Sequence, residues 1–313
     1  MKTSVFFLIF CLPYIAAAAG APAAAEKAVP TQVFCIFGAQ SGKPFGDLAA
    51  FKSVIWKSDV VYAGGAPDRL KDQQARLEIL KAMREARGSK IIVGFETLAI
   101  AQQPILDDYA AGKISEEDFL QKTGWQKESG AGFALYKPIF DFIIRNKLRA
   151  LALKVPEEII IKIEREGLAG LNEEEKKFLP APVGISRHKK YLEFLKASFS
   201  GPGTSSATAA GIAAFDNRLA AVSSWNESAG ARIADFLNAN PGWAVLVAAG
   251  NDRLVYNAAV PASVKNRTVK LRQASFYAET AEKCPAELPK DHKDLANYIW
   301  YIDSSTAALS GRQ

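Results

Sequence analysis

The feature that most constrains this chain is a series of seven short segments that are apolar without alternation. Continuous runs of Val, Ile and Leu are typical of strands buried on both faces, as in a parallel sheet covered by helices. Amphipathic helical patterns separate the first three segments, which predicts right-handed strand–helix–strand units. We therefore predict an α/β fold with a central, mostly parallel sheet and helices on both faces. The segments are residues 32–38, 59–64, 90–96, 148–155, 243–250, 268–274 and 297–303.

The middle of the chain has a different pattern, because residues 97–241 contain one strand candidate among many helical segments. Helix starts are indicated where Ser115 is followed three residues later by Asp118, and where Asn172 is followed by Glu175. A Gly/Ser/Thr-rich stretch, residues 199–211, is typical of a linker. We interpret residues 97–241 as a helical subdomain or lid inserted into the α/β core.

The first 25 residues have the pattern of a secretory signal peptide. Lys2 precedes an apolar run and an Ala-rich tail with cleavage sites after Ala19 or Ala25. Cys11 follows a bulky Phe inside the apolar run, which argues against a lipoprotein. No later stretch approaches the ~18 apolar residues that a membrane span needs. We therefore predict a secreted or periplasmic domain over residues 26–313, without a membrane span.

The charge and the cysteine content bear on nucleic-acid binding and on the redox compartment of the protein. The formal net charge is +6, but the basic residues alternate with acidic ones, as on solvated helix faces, so nucleic-acid binding is not favoured. Two cysteines remain after the signal peptide, Cys35 and Cys284. An oxidising compartment permits one disulfide between them, and two buried thiols are an equally compatible alternative.

Familiar catalytic motifs are missing from the sequence. The turn after the second strand, residues 64–67, reads GGAP and offers no reactive side chain. The segment 38–43 has three residues between its glycines and is followed by Pro44, whereas a phosphate-binding loop has four and then Ser or Thr. His188 and His292 lie in charged surroundings and are expected to be exposed, so a histidine-based triad or zinc site is not favoured.

Four segments in order resemble the ChaN-like haem-binding uptake family of the Tiki superfamily, also called domain of unknown function 399. The resemblance implies an EreA/ChaN-like α/β fold and haem as a candidate ligand. The terminal ANYIWYID suits the family's last strand. The segments are DVVYAGGAPD, KIIVGFETLAIAQQPILDDYAAGKIS, SSWNESAGARIADFL and VLVAAGNDRLVYNAAVP.

The sequence departs from the family at the positions that would bind a metal. The family's Glu and His in the first turn fall on Gly65 and Pro67, its second-loop His falls on Arg253, and Asn226 replaces an Asp. Metal-dependent hydrolysis needs carboxylate and imidazole ligands, which Gly, Pro and Arg do not supply. We therefore expect no divalent metal. An enzymatic function is not favoured, although it stays an alternative.

The remaining motif positions give a set of candidate ligand-binding residues at the carboxyl ends of the strands. Glu96 is expected between Arg69 and Arg253, with a lowered pKa, and its alternative role is to cap the next helix. Asp68 is expected to cap the helix that starts at Arg69, in preference to binding a ligand. The candidates are Gly64, Asp68, Arg69, Glu96, Gln103, Gly250, Asn251, Arg253 and Tyr256.

Two of these candidates have open alternative roles. Tyr256 either ligates ferric haem as a phenolate or packs over the sheet edge with its hydroxyl in water. Arg253 either pairs with Glu96 or Asp68, or clamps a carboxylate such as a haem propionate.

Three functions remain open on the sequence alone. The first is an extracytoplasmic ChaN-like binding protein for haem or another anionic ligand in iron uptake. The second is a metal-dependent hydrolase or peptidase with a relocated site, and the third is a pseudoenzyme scaffold whose lid binds another envelope protein. In each case we expect the first three strands and residues 243–250 to be parallel, with Gly64, Glu96 and Gly250 converging at one edge.

Overall fold

The computed structural model describes residues 35–128, 131–199 and 209–303. The predicted signal peptide and most of the predicted linker lie outside these residues. The strands are β1 Cys35–Gly38, β2 Val60–Ala63, β3 Ile91–Ala99, β4 Arg149–Lys154, β5 Ala244–Ala248, β6 Gln273–Ala281 and β7 Tyr298–Asp303. The α-helices are α1 Leu48–Lys57, α2 Leu70–Arg87, α3 Gln103–Ala110, α4 Glu116–Thr123, α5 Trp125–Glu128, α6 Phe133–Arg145, α7 Glu157–Glu166, α8 Glu173–Lys176, α9 Lys189–Phe199, α10 Ala209–Ala239 and α11 Val260–Arg267.

The strands form one sheet in the order β1-β7-β6-β2-β5-β3-β4. All neighbouring pairs are parallel except β1 and β7, which are antiparallel with Cys35 opposite Tyr301. The mostly parallel sheet is confirmed, but the expectation that the first strand is parallel was wrong. The reason is that β1 pairs only with the last strand at the sheet edge, where antiparallel strands are common in such folds.

The sixth strand lies further along the chain than its apolar pattern predicts. The prediction was residues 268–274, whereas β6 is Gln273–Ala281. Helix α11 runs to Arg267, and Thr268 hydroxyl donates back to Val264 O at 2.8 Å. Lys270 then has a left-handed φ of 60°. The end of helix α11 and the turn that follows it therefore occupy the first residues of the predicted segment.

The core lies on both faces of the sheet, as predicted for continuous apolar strands. Along β3, Ile91 and Val93 face the side covered by α1, α2 and α6, while Ile92 faces the side covered by α10 and α11. On the first side, Phe95 stacks on Phe140 of α6 with ring centroids 4.7 Å apart. Helix α6, which lies within residues 97–241, therefore shares the core of the sheet.

The two predicted helix starts in this middle region are confirmed. Ser115 caps α4 by accepting from the Asp118 N–H, and Asn172 and Glu175 form a reciprocal capping box at α8. That residues 97–241 form a separate subdomain stays a prediction.

Cys35 and Cys284 form a disulfide, with their Cα atoms 5.6 Å apart. The bond joins the start of β1 to the connection between β6 and β7, and it settles the open alternative in favour of pairing. No helix in the described ranges combines the length and hydrophobicity that a bilayer crossing requires.

Candidate functional site

The candidate site lies at the carboxyl ends of β2, β5 and β3, three neighbouring parallel strands. Ala63 and Phe95 both pair with Ala248 at these ends, so the residues that follow the three strands share one edge. A Cβ placed on Gly250 would lie 3.4 Å from Glu96 Oε1, and Gly64 contacts the loop after β5 through Leu254. The structure thus brings Gly64, Glu96 and Gly250 together.

The double glycine after β2 is explained by close packing. A Cβ on Gly64 would lie 2.8 Å from Phe276 O and 2.9 Å from Leu254 Cδ2. Gly65 has a φ of +134°, and its Cβ would lie 2.8 Å from Asp72 Cγ. Both positions therefore require glycine whether or not a ligand binds.

The crevice above β2 and β5 is filled by Arg76 of α2, a residue that sequence reasoning missed. Its buried guanidinium donates to Ala249 O at 2.8 Å and to Ala63 O and Gly65 O at 3.3 Å. It also donates to Gln73 Oε1 at 3.1 Å. The carbonyls that would otherwise face a ligand are therefore occupied. A signal was present in the sequence, since Arg76 is spaced four residues before Leu80 on the apolar side of α2.

Asp72, in the first turn of α2, holds the loop that precedes the helix. Its buried Oδ2 accepts from Ala66 N–H at 2.5 Å and from Arg69 Nε at 2.9 Å, and burial raises its pKa. Asp68 is exposed, and the residue before the helix is Arg69, with no side-chain cap. The predicted Asp68 cap was wrong, as was the placement of Arg69 beside Glu96, because the ion pair with Asp72 holds Arg69.

Glu96 follows the central part of β3 and is paired with a different arginine. Its Oε2 is 3.7 Å from Arg253 Nε, and its carboxylate accepts from the Gly250 N–H. Burial raises the pKa of Glu96 to about 7, because desolvation outweighs the attraction of Arg253 and Asp252 adds repulsion. The predicted lowering of this pKa was wrong, since the sequence shows the charge partner but not the burial.

Arg253 lies over the ring of Trp225 of α10. The guanidinium carbon is 3.4 Å from the ring centroid, a cation–π contact. Asp252 Oδ2 is 3.4 Å from Arg253 Nε, yet this buried Nε makes no hydrogen bond to a described residue. Arg253 was predicted either to pair with an acidic residue or to bind a ligand carboxylate. The ion pair with Glu96 is present, and the Nε–H of Arg253 makes no hydrogen bond to a described residue.

Two predicted pocket residues use their amides to hold strands. Gln103 accepts from Ala152 N–H at 2.8 Å and donates to Ala150 O at 3.0 Å on the edge strand β4. Asn251 donates to Ala278 O at 2.8 Å and accepts from Ala278 N–H at 3.1 Å on β6. Their amides are therefore committed to the sheet, contrary to the expectation that they point to a ligand.

Tyr256 lies in the loop after β5, with a left-handed φ of 57° that is uncommon for a tyrosine. Its half-buried ring stacks on His188, with centroids 5.8 Å apart, and packs against the apolar cluster that contains Tyr191 and Leu195. No hydrogen-bond partner for its hydroxyl is found among the described residues. The nearby charge of Lys190 interacts with it.

The sequence model of the family "Haem-binding uptake, Tiki superfamily, ChaN" matches residues 53–264 of the 313. The chain belongs to this family. The match includes Glu96, Arg253 and Tyr256. No protein of curated function matches the chain in sequence.

Solved structures support the ChaN-like fold. The structure of cofacial haem binding to ChaN of Campylobacter jejuni has a TM-score of 0.64 at 15% identity, covering 87% of this chain and 98% of that one. The type III effector HopBA1 has a TM-score of 0.46 at 7% identity over 81% and 92% of the chains. An erythromycin esterase, EreC, in its open conformation has a TM-score of 0.40 at 14% identity over 77% and 75%. The first likeness establishes the fold alone, and the other two carry no argument.

The residues of this ChaN-family chain can be tested against what haem requires. Haem iron needs an axial donor, and its propionates need cations. Tyr256 offers a hydroxyl without a hydrogen-bond partner among the described residues. Arg187 and Lys189 are exposed on either side of His188, on which Tyr256 stacks, while Lys190 is ion-paired with Asp294. The side chains around Tyr256 therefore fit the requirements of haem.

The two histidines of the chain differ from each other. His188 is exposed, as predicted, and its Nδ1 accepts from Tyr191 N–H at 3.3 Å. His292 is half-buried with Nδ1 2.7 Å from the Tyr301 hydroxyl, so the expectation of exposure was wrong for it. Among the residues that the structure describes, no group of three or more His, Cys, Asp or Glu side chains is arranged to hold a metal. The absence of a divalent metal stays a prediction.

Proposed function

We propose that this ChaN-family protein is an extracytoplasmic haem-binding protein that takes part in iron uptake. Membership of a haem-binding family supports the ligand class. The observation that carries the proposal is the Tyr256 hydroxyl, which has no hydrogen-bond partner among the described residues, in a half-exposed loop at the carboxyl edge of the sheet.

The ligand chemistry follows from the side chains around Tyr256. A phenolate oxygen is a known axial ligand of ferric haem and supplies a hard anionic donor to the iron. Arg187, just before α9, and Lys189, its first residue, lie exposed on either side of the stacked His188 and would neutralise the propionates, whereas Lys190 is ion-paired with Asp294. The ring of Tyr256 packs on the apolar cluster that contains Tyr191, which would give a porphyrin an apolar border.

Titration with hemin tests this proposal. We expect a Soret shift with the wild-type protein at micromolar hemin and its loss in Tyr256→Phe, which removes only the hydroxyl. Tyr298→Phe is the matched control, because Tyr298 is also half-buried but stacks on Phe276 in the core on the other face of the sheet. An unchanged Soret band with the wild type, or equal binding by Tyr256→Phe, would refute the proposal.

The extracytoplasmic compartment is supported by the disulfide and by the predicted signal peptide. Disulfides persist in oxidising compartments and are rare in the cytosol. Cys35 and Cys284 are bonded. Fractionation of the native host, together with thiol counting under denaturing conditions, should find a processed protein outside the cytoplasm with both cysteines oxidised. A cytoplasmic, unprocessed protein with free thiols would contradict the assignment.

A further inference from the structure

Two buried polar atoms near Trp225 have no hydrogen-bond partner among the described residues. They are Arg253 Nε and Asn226 Oδ1. The Asn226 residue is 4% exposed, and its Nδ2 donates to the Tyr191 hydroxyl at 2.9 Å. The charges of Arg253 and Asp252 act on the pKa of Tyr191, which burial raises, so this hydroxyl lies within electrostatic range of Arg253. Buried polar groups are nearly always satisfied, so the Arg253 Nε–H, a donor, indicates a missing acceptor. Asn226 Oδ1 is itself an acceptor, so it needs a donor and does not bear on the identity of that group.

Arg253 is held in a conformation suited to that partner. Its guanidinium is fixed against the Trp225 ring at 3.4 Å from the centroid. The carboxylates of Glu96 and Asp252 lie 3.7 Å and 3.4 Å from Nε and neutralise its charge, but they do not satisfy this N–H. A planar guanidinium with a fixed plane matches the two oxygens of a carboxylate.

We propose that the crevice formed by Glu96, Trp225 and Arg253 binds a carboxylate group. The side chains of Glu96 and Arg253 retain 17% and 21% of their surface in solvent, so both are partly accessible from solvent. The carboxylate belongs either to a free small acid or to a propionate of haem bound at Tyr256, three residues along the same loop. The free-acid case does not depend on the proposed function.

Glu96 determines how such a site responds to pH. An ionised Glu96 repels a bound carboxylate, whereas a protonated Glu96 can donate a hydrogen bond to it. The other groups whose charge or ionisation is coupled to Glu96 are Arg253 and Asp252 on the loop, Arg76 on α2 and Tyr136 on α6. Because the pKa of Glu96 is about 7, carboxylate binding is coupled to the uptake of one proton near neutral pH.

The first experiment measures binding of acetate and succinate to the full chain by calorimetry, together with ¹⁵N spectra of the arginine Nε–H groups. Acid concentrations up to about 10 mM exceed the Kd of about 1 mM expected for one such group. We expect the Arg253 Nε–H resonance to shift. The affinity should be about tenfold higher at about pH 6 than at about pH 8, as one proton-linked group with a pKa of about 7 dictates.

Three variants complete the test. Glu96→Gln should bind with the higher affinity at both pH values, because a neutral amide abolishes the repulsion. Arg253→Gln should weaken binding at least about tenfold, as loss of a charge-assisted hydrogen bond predicts. Arg149→Gln is the control, because Arg149 also lies over a tryptophan, Trp243, at 5.6 Å, but at the start of β4 and away from the carboxyl edge.

The outcomes separate the two sources of the carboxylate. Binding of acetate or succinate that Tyr256→Phe leaves unchanged identifies a free acid, even if hemin does not bind. No binding of either acid, but weaker hemin binding by Arg253→Gln than by Arg149→Gln, identifies the propionate. If no acid shifts the Arg253 resonance and Arg253→Gln binds hemin as the wild type does, the proposal is overturned. The shift of the Arg253 Nε–H resonance is measured in the wild-type protein, so this test stays valid even if a variant misfolds.

Discussion

Replacement of Arg76 by Met should remove a large share of the stability of the fold. Arg76 is 2% exposed and donates to Ala249 O and Gly65 O. Met fills much of the same volume but has no donor, so Ala249 O and Gly65 O lose this partner, whereas Ala63 O keeps its bond from the Ala249 N–H. Each buried polar group left unsatisfied costs ~1–3 kcal/mol, which gives ~2–6 kcal/mol for the pair. The total stability of a domain is only ~5–15 kcal/mol.

Urea unfolding with the disulfide intact measures this loss as a change in the free energy of unfolding. Arg145→Met is the control, because Arg145 is exposed and, among the residues that the structure describes, donates only to Asp141 O within its own helix. Surface changes of this kind usually stay within ~0.5 kcal/mol. A loss below ~1 kcal/mol in Arg76→Met would refute the reasoning, because it would mean that the strand-end carbonyls find other partners at little cost.

Three further predictions concern stability. The folded-state pKa of Glu96, about 7, lies above the ordinary value of 4.5, so stability falls as pH rises between these values, by ~3 kcal/mol from this group. Urea unfolding should show that Glu96→Gln lacks this part of the pH dependence. Changing both Cys35 and Cys284 to Ser should cost ~2–5 kcal/mol, seen as a lower Tm, because the bond links residues 249 apart. Gly64→Ala should cost ~1–3 kcal/mol through the contact with Phe276 O at 2.8 Å, whereas Gly132→Ala, with open space around its Cβ, should cost far less.

Much of the fold could be predicted from the sequence because its strands are buried on both faces. A strand such as β5, apolar throughout, leaves little ambiguity, and its neighbours β2 and β3 have the same pattern. The direction of β1 could not be predicted, because it depends on pairing with β7, the last strand along the chain. The position of β6 was missed because the exit from helix α11 and the turn at Lys270 occupy the first residues of the predicted segment.

The candidate site was predictable in position but not in chemistry. The strand ends placed Glu96 near Gly250, since topology alone requires it. Burial decides the pKa of Glu96, and burial is set by α2 and α10, which pack around the edge only in the folded chain. Arg76 was missed for a related reason, because a charged residue within an amphipathic helix is ordinarily assigned to the solvent face.

The amide of Gln103 has a consequence for how the molecule behaves beside its copies. Strand β4 ends the sheet, and an exposed edge of this kind can template the addition of a strand from another chain. Gln103 donates to Ala150 O and accepts from the Ala152 N–H, and Arg232 Nε donates to Ala152 O at 2.9 Å. These side chains mimic the next strand, so the protein blocks edge-to-edge aggregation at β4 with two of its own residues.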